Sequence, residues 1–273
     1  VPSQDMVLGL YYITKIRKGA KGENMNFYGP EEVIVAYNEK AIDMHAEIGV
    51  RLPVDKQDLS KGYEIKKTSA GRIIVNQYVP EEVPYVNEVL GKKSLRKIIT
   101  EVIKSTGVTR TAQFLDDIKN LGYDQAFRAG ISFNLGDVII PAEKASLIEE
   151  GYKQVEEVKN NYAMGFITNN ERYNKVIDLW GAIDNKLTKI VEKQISADQQ
   201  GFNPVYMMLD SGARGSTQQI KQLCGMRGLM AKPQKSGAAG AEIIENPIIS
   251  NLKEGMTVLE YFISTHGARK GLA

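Results

Sequence analysis

The clearest alternation of apolar and polar side chains lies between residues 141 and 202. Apolar positions recur there every three or four residues, first at Ile148, Tyr152, Val155, Val158 and Tyr162, and later at Tyr173, Val176, Ile177, Trp180, Ile183, Leu187, Ile190 and Val191. This spacing places one apolar seam along each of two helices. Between them, Gly165 and the capping-box sequence Thr168-Asn169-Asn170-Glu171 indicate a short turn. The pattern predicts an antiparallel helical hairpin with both seams, aromatic residues included, in its core.

The turn of this hairpin carries the apolar side chains Met164, Phe166 and Ile167. Exposed apolar side chains at a turn often mark a docking site. A tip that packs on its own hairpin would instead bury the same residues. Both interpretations stay open from the sequence alone.

The residues before the hairpin predict shorter and more varied elements. These are a helix within residues 1–17 with Ser3 as its N-cap, a helix opened by Pro30, a strand at residues 46–52, a β-hairpin of residues 64–66 and 72–76, and helices at residues 94–104 and 110–121 with Gly122 as C-cap. His45 has no second ligand at a useful spacing, so it is interpreted as a half-exposed structural residue.

Residues 203–273 combine glycine with basic side chains and end in a helical pattern. Four basic residues stand against one acidic residue between Asp210 and Lys232. Glycine lets the backbone approach a ligand closely, and arginine can donate two hydrogen bonds to a phosphate. A solvated basic connector would show the same composition. A terminal helix is predicted from Met256, and Gly267 and Gly271 make it easy to bend.

These elements predict an α+β fold that is mainly helical and built of several modules. A small β-containing part occupies residues 1–140, the long antiparallel hairpin residues 141–202, and the basic loop with the terminal helix residues 203–273. The net charge of +2 gives no overall attraction to a polyanion, so any nucleic-acid contact would be local. One cysteine excludes an internal disulfide, and two histidines with one cysteine exclude a Cys/His zinc site. No apolar run is long enough to span a membrane, and a cytoplasmic protein is expected.

Several words of the sequence are far more specific than its composition. SGARGS, QLCGMRGLMAKP and EYFISTHGARKGLA, with GRIIVNQYVPEEVPYVN earlier in the chain, closely resemble the largest catalytic subunit (β′) of bacterial DNA-directed RNA polymerase. The similarity is long and largely free of gaps, and its one clear departure is the QKSGAAGAE stretch after Pro233. The resemblance implies an internal fragment that covers the pore, the rim helices of the secondary channel, and the start of the bridge helix.

The resemblance also implies which residues serve the polymerase. It places near the nucleotide or the template Arg214, Arg227, Met230, His266, Arg269 and Lys270. It places on the docking surface for secondary-channel regulatory factors Glu156, Glu157, Phe166, Asn174 and Lys175. No catalytic or metal-binding residue is expected in this stretch. The magnesium ions of the whole enzyme would be held by aspartates before Val1, because the three-aspartate motif is missing here.

The implied function is DNA-templated RNA synthesis, a nucleotidyl transfer from ribonucleoside triphosphates, carried out by the assembled enzyme and not by this stretch alone. Its implied partners are the β, α, ω and sigma subunits, the DNA template and the RNA. Two other hypotheses stay open: a noncatalytic helical-hairpin module that binds protein or RNA, and an unrelated phosphate-binding enzyme built on SGARGS. An aspartate triplet encoded just upstream would decide for the polymerase.

Overall fold

The computed structural model describes residues 2–56, 58–232 and 242–272, and for Leu59 and residues 266–272 it describes the backbone only. Two compact units divide the chain: a first unit of residues 1–132 and 199–215, and a second unit of residues 133–198 and 216–273. The predicted α+β class, mainly helical with a small sheet near the N-terminus, is confirmed. The three-part functional division of the chain stays a prediction, because compactness alone does not define functional modules.

The elements follow one another along the described ranges. The helices are α1 (Asp5–Thr14), α2 (Pro30–Asn38), α3 (Ala70–Asn76), α4 (Lys92–Ala129), α5 (Lys144–Ala163), α6 (Asn169–Ala197), α7 (Pro204–Asp210), α8 (Thr217–Cys224) and α9 (Val258–Leu272). The strands are β1 (Asn26–Phe27), β2 (Ile48–Pro53) and β3 (Tyr63–Thr68), in the order β1-β2-β3 with β1 parallel and β3 antiparallel to β2.

The predicted strand at residues 46–52 is confirmed as β2, but the predicted β-hairpin after it is wrong. β3 pairs with β2, and residues 70–76 form α3 instead of a strand. Ser69 has an extended backbone, and its hydroxyl accepts a hydrogen bond from the backbone N–H of Arg72, which caps the helix. The apolar run from Ile73 to Val75 is too short for the spacing of its side chains to distinguish a helix from a strand. The N-cap at Ser69 favours the helix.

Close packing of α1 on α4 organises the first unit. A Cβ on Gly9 would lie 2.0 Å from the carbonyl oxygen of Gly122, and a Cβ on Gly122 would lie 2.6 Å from the carbonyl oxygen of Met6. Gly122 therefore sits inside α4 and does not end it. The helix continues to Gly130, whose left-handed backbone forms the C-cap, so the predicted C-cap at Gly122 is wrong.

Two other sequence predictions for the first unit need correction. α1 begins at Asp5 after Gln4, which makes no side-chain cap, so Ser3 is not the N-cap. His45 is buried, not half-exposed, and its Nδ1 lies 2.9 Å from the carbonyl oxygen of Lys15. Burial lowers the pKa of His45. The predicted break between two helices is correct, because Gly107 interrupts α4 with a φ of 77°.

The helical hairpin in the second unit is confirmed as α5 and α6. The Thr168 hydroxyl and the Glu171 side chain form the predicted capping box. Val155, Val176, Trp180, Ile183 and Leu187 are buried in a common apolar cluster.

The predicted core positions of two aromatic side chains in this hairpin are wrong. Tyr152 is 53% exposed and Tyr162 is 44% exposed. Gly151 faces the seam in place of Tyr152, because a Cβ there would lie 2.5 Å from Cδ1 of Ile183. The helices can approach closely at Gly151, and the ring of Tyr152 packs against the edge of Trp180 from the side, with the ring centroids 5.3 Å apart.

Candidate functional site at the base of the terminal helix

Two segments of the second unit, residues 224–228 and 248–251, lie side by side. Gly228 and Ile248 exchange two backbone hydrogen bonds of 2.9 Å, and the N–H of Arg227 donates to the carbonyl oxygen of Ser250 at 3.3 Å. The buried side chain of Asn251 donates to the carbonyl oxygens of Cys224 at 3.1 Å and Gly225 at 3.2 Å. We call this pair of segments the paired segments. They form the base from which α9 starts.

The first turn of α9 is joined to the paired segments through one carboxylate. Oε1 of Glu260 accepts hydrogen bonds from the N–H groups of Ile249 and Ser250, both at 3.2 Å. Oε2 accepts from the hydroxyl of Ser250 at 2.8 Å, and from the N–H and hydroxyl of Thr257 at 3.0 Å and 2.9 Å. The N–H of Glu260 donates back to the Thr257 hydroxyl at 3.3 Å, which completes a capping box.

The protonation of Glu260 follows from these contacts. Partial burial raises the pKa of its carboxyl, but the hydrogen bonds from Thr257 and Ser250 lower it more, so the pKa falls to about 2. Glu260 is therefore a carboxylate at neutral pH. A carboxylate that accepts several hydrogen bonds binds its donors more strongly than a neutral acceptor does.

An ion pair attaches α8, which leads into the paired segments, to the hairpin. Nζ of Lys221 lies 2.7 Å from Oδ2 of Asp184 on α6, and the two side chains are 10% and 20% exposed. A Cβ on Gly228 would lie 3.6 Å from the same carboxylate, so Asp184 also touches the backbone of the paired segments. After the paired segments, Lys253 donates to the carbonyl oxygen of Val138 at 2.6 Å, and Glu254 pairs with Lys144.

Cys224, at the end of α8, is buried. Burial raises the pKa of its thiol to about 11, and the nearby charge of Lys253 offsets only part of this effect. At neutral pH the thiol is therefore protonated, and it serves as a small apolar core residue.

The basic side chains predicted near the nucleotide fall in different surroundings. Arg214 belongs to the first unit and is exposed, while its N–H donates to the carbonyl oxygen of Met208 at 3.2 Å. Arg227 belongs to the second unit and is half-buried, and its buried Nε has no acceptor among the residues that the structure describes. Met230 is half-buried, and its carbonyl oxygen accepts from the N–H of Ile244 at 2.8 Å. Their predicted roles stay predictions.

The only acidic residue next to SGARGS is engaged inside the first unit. Oδ2 of Asp210 accepts a hydrogen bond from the hydroxyl of Tyr11 at 2.6 Å. Nζ of Lys15 donates to the same tyrosine oxygen at 3.0 Å. Asp210 therefore has a structural partner.

Comparison with known proteins identifies the chain. Residues 1–138 match the family described as RNA polymerase Rpb1, domain 3, and residues 167–253 match RNA polymerase Rpb1, domain 4. The whole chain is 65% identical to proteins named DNA-directed RNA polymerase subunit beta' from Bacteroides fragilis and Parabacteroides distasonis. A protein of the same name from Flavobacterium johnsoniae is 56% identical over the whole chain.

The chain belongs to the β′ subunit family of DNA-directed RNA polymerase. It covers 19% of the length of each of these three relatives, so it corresponds to about a fifth of a β′ subunit. This result confirms the family resemblance carried by SGARGS, QLCGMRGLMAKP and EYFISTHGARKGLA.

The predicted template contacts of the β′ chain fall on α9. The positions of His266, Arg269 and Lys270 belong to this helix, but their side chains lie outside the described residues. The departure QKSGAAGAE also falls outside them, except for Glu242, which forms an ion pair with Lys232 at 2.6 Å.

The residues predicted to bind regulatory factors lie on the hairpin of the β′ chain. Glu156 and Glu157 are exposed on α5, and Asn174 and Lys175 are exposed on α6. Phe166 at the turn is 74% exposed. Met164 beside it is 68% exposed, so these two side chains of the tip do not pack on their own hairpin. Their predicted role in binding stays a prediction.

Magnesium does not fit the side chains that the structure describes in this β′ chain. No group of three or more histidine, cysteine, aspartate or glutamate side chains within the described ranges could hold a metal ion. In the same ranges, no helix has the length and apolar character needed to cross a membrane.

No role for Glu260 was predicted from the sequence, although its side chain accepts the most hydrogen bonds of any at this site. The signal was present, because Thr257-Val258-Leu259-Glu260 has the spacing of a capping box. The contact of Glu260 with Ile249 and Ser250 had no such signal, since it depends on how the chain folds back between residues 251 and 257.

Proposed function

We propose that this chain is part of the catalytic subunit of a DNA-directed RNA polymerase, a nucleotidyltransferase that transcribes DNA in the cytoplasm. The observation that carries this proposal is the 65% identity, over the full chain, to relatives named as its β′ subunit. The substrates would be ribonucleoside triphosphates and a DNA template, and the partners the β, α, ω and sigma subunits. A free-standing hairpin module or an unrelated phosphate-binding enzyme accounts for this similarity less well.

The contribution of the chain to RNA synthesis would be geometry and charge. Phosphoryl transfer in polymerases depends on magnesium ions, which would be bound by aspartates elsewhere in the subunit. The chain would form the pore, the rim of the secondary channel and the start of the bridge helix. By itself it would not synthesise RNA. His266, Arg269 and Lys270 would lie near the nucleotide or template, and Met230 would lie near them in the supporting loop.

Arg214 and Arg227 would supply positive charge along the path of the incoming triphosphate or in the support of α9. Arg227 fits this role because its side chain is only half-buried and carries a positive charge at every physiological pH. The exposed guanidinium of Arg214, in its glycine-rich surroundings, could reach a ligand directly.

Arg227→Ala in a full-length β′ subunit, assembled with the other subunits, tests this proposal. We expect elongation to slow by about tenfold or the KM for nucleotides to rise similarly, since the loss of a charge-assisted hydrogen bond costs about 1.5–3 kcal/mol. Rapid-quench nucleotide addition measures both quantities. Lys232→Ala is the control, because Lys232 is 47% exposed and already paired with Glu242. Unchanged rate and KM in Arg227→Ala would remove the role assigned to Arg227.

The rim hairpin would bind regulatory factors that insert into the secondary channel. Its candidate surface is formed by the exposed side chains of Glu156, Glu157, Phe166, Asn174 and Lys175. An apolar tip beside exposed charges suits a protein partner, because apolar contact supplies affinity and the charges supply specificity.

Reversing two of these charges, with Glu156→Lys and Glu157→Lys, should weaken factor binding by about tenfold or more, because complementary charges would become repulsive. Basal RNA synthesis by the assembled enzyme should stay unchanged. The affinity for a purified secondary-channel factor is the measurement. Glu192→Lys reverses an exposed charge on α6 far from the turn and serves as the control. Equal factor affinity in the double variant and the unmodified enzyme would contradict the assignment.

A further inference from the structure

The first turn of α9 has little apolar packing inside its own chain. Val258 is 86% exposed, Leu259 76% and Tyr261 61%. Apolar burial normally fixes a helix against its neighbours, and these three side chains contribute little of it here. Some other contact must therefore set the position of the helix start relative to the second unit.

The carboxylate of Glu260 supplies that contact. Three of its five hydrogen bonds come from Ile249 and Ser250 in the paired segments, and two come from Thr257 at the start of the helix. Ser250 is itself held by Arg227, because its carbonyl oxygen accepts from the N–H of that residue. Glu260 thus connects the first turn of α9 with Ser250, whose backbone is in turn bonded to Arg227.

We infer that Glu260 is a positioning residue, whose carboxylate fixes the direction in which α9 leaves the paired segments and thereby sets the rate of nucleotide addition. The inference rests on the proposed polymerase function. Its physical reason is that a rotation at the start of a helix produces a displacement that grows along its length of 15 residues, Val258 to Leu272. A small misplacement of reacting groups is enough to slow a positioned reaction strongly.

The two sets of hydrogen bonds can be removed separately. Glu260→Ala removes both sets. Glu260→Asp keeps the charge and can still cap the helix, but its side chain is one methylene shorter and cannot also reach Ile249 and Ser250. Thr257→Ala removes the hydroxyl from the cap and leaves the contacts of the paired segments in place. Glu260→Gln keeps the length and loses the charge.

The test uses polymerase assembled with full-length β′ subunits, with nucleotide addition followed in stalled elongation complexes and normalised to the fraction of active complexes. We expect Glu260→Ala and Glu260→Asp to slow addition at saturating nucleotide by about tenfold, and Glu260→Gln by about threefold. The KM should change less than about twofold, since nucleotide binding is not the step affected. Thr257→Ala should stay within about twofold of the unmodified rate.

Each other outcome has a defined meaning. A variant that only unfolds the subunit would lower the active fraction and leave the rate per active complex unchanged, which would overturn the inference. The inference also fails if Glu260→Asp behaves as the unmodified enzyme, or if Thr257→Ala slows addition as much as Glu260→Ala does, because capping alone would then explain the effect. If the unmodified assembly itself makes no RNA from a DNA template, the proposed polymerase function fails, independently of any variant.

Discussion

Gly9→Ala should strongly destabilise the first unit. The added Cβ would lie 2.0 Å from the carbonyl oxygen of Gly122 and 2.8 Å from the backbone nitrogen of Ala126. Both atoms belong to the backbone of α4, so no side-chain rotation can relieve the contact. α1 and α4 would have to move apart, which opens the apolar cluster that contains Val7, Leu10 and Phe114.

We expect a loss of about 3 kcal/mol in the free energy of unfolding, at the upper end for overpacked cores. Urea unfolding followed by circular dichroism measures it. Gly29→Ser is the control in the same unit, because a Cβ there meets nothing within 4 Å and serine is a good N-cap for α2. It should not lower stability. Equal unfolding midpoints for Gly9→Ala and the unmodified chain would show that α1 does not pack on α4 in this way.

Asp184→Ala should have the second large effect, in the other unit. It leaves the ammonium group of Lys221, a side chain only 10% exposed, without its carboxylate. Leaving a buried charge unpaired costs much more free energy than the intact ion pair contributes. We therefore expect the free energy of unfolding to fall by about 3 kcal/mol. The end of α8 and the paired segments next to Gly228 should loosen with it, and hydrogen exchange at the N–H groups of Gly225 and Gly228 should accelerate.

Two further variants separate the charge effect from simple truncation. The double variant Asp184→Leu with Lys221→Met replaces the pair with apolar side chains and should recover most of the lost stability. Glu149→Ala breaks the exposed pair with Lys153 on α5 and should leave the free energy of unfolding nearly unchanged, because water screens the pair. If Asp184→Ala lowers the free energy of unfolding by less than about 1 kcal/mol, Lys221 must reach water or another acceptor. That result would contradict a buried ion pair with Asp184.

How well the sequence predicted the fold depended on the length of each pattern. The sequence predicted α5 and α6 correctly because many apolar positions along each helix share one spacing. A capping box also marks the start of α6. The seven residues of α3 offered no such agreement and were mistaken for a strand. The roles of Gly122 and Gly151 could not be predicted from the sequence. Each glycine lets a second helix approach closely, and no local sequence pattern indicates such an approach.

The candidate site, too, was predicted only where a local sequence pattern marks it. The basic and glycine-rich stretches near Arg214 and Arg227 were recognised, and the family they indicated is correct. The connection through Glu260 was not, since it joins residues 249–250 to α9 across a turn whose path depends on contacts such as Asn251 with Cys224. A local motif can predict the cap, but only the folded chain brings the second set of donors to the same carboxylate.

The buried state of Cys224 has a practical consequence for spectroscopy. It is the single thiol of the chain, and with a pKa of about 11 it forms almost no thiolate at neutral pH. Maleimide reagents attack thiolates, so a cysteine introduced at the exposed position of Phe166 would take up a fluorophore with little background. A site-selective optical probe can therefore be placed at the hairpin tip without first replacing Cys224.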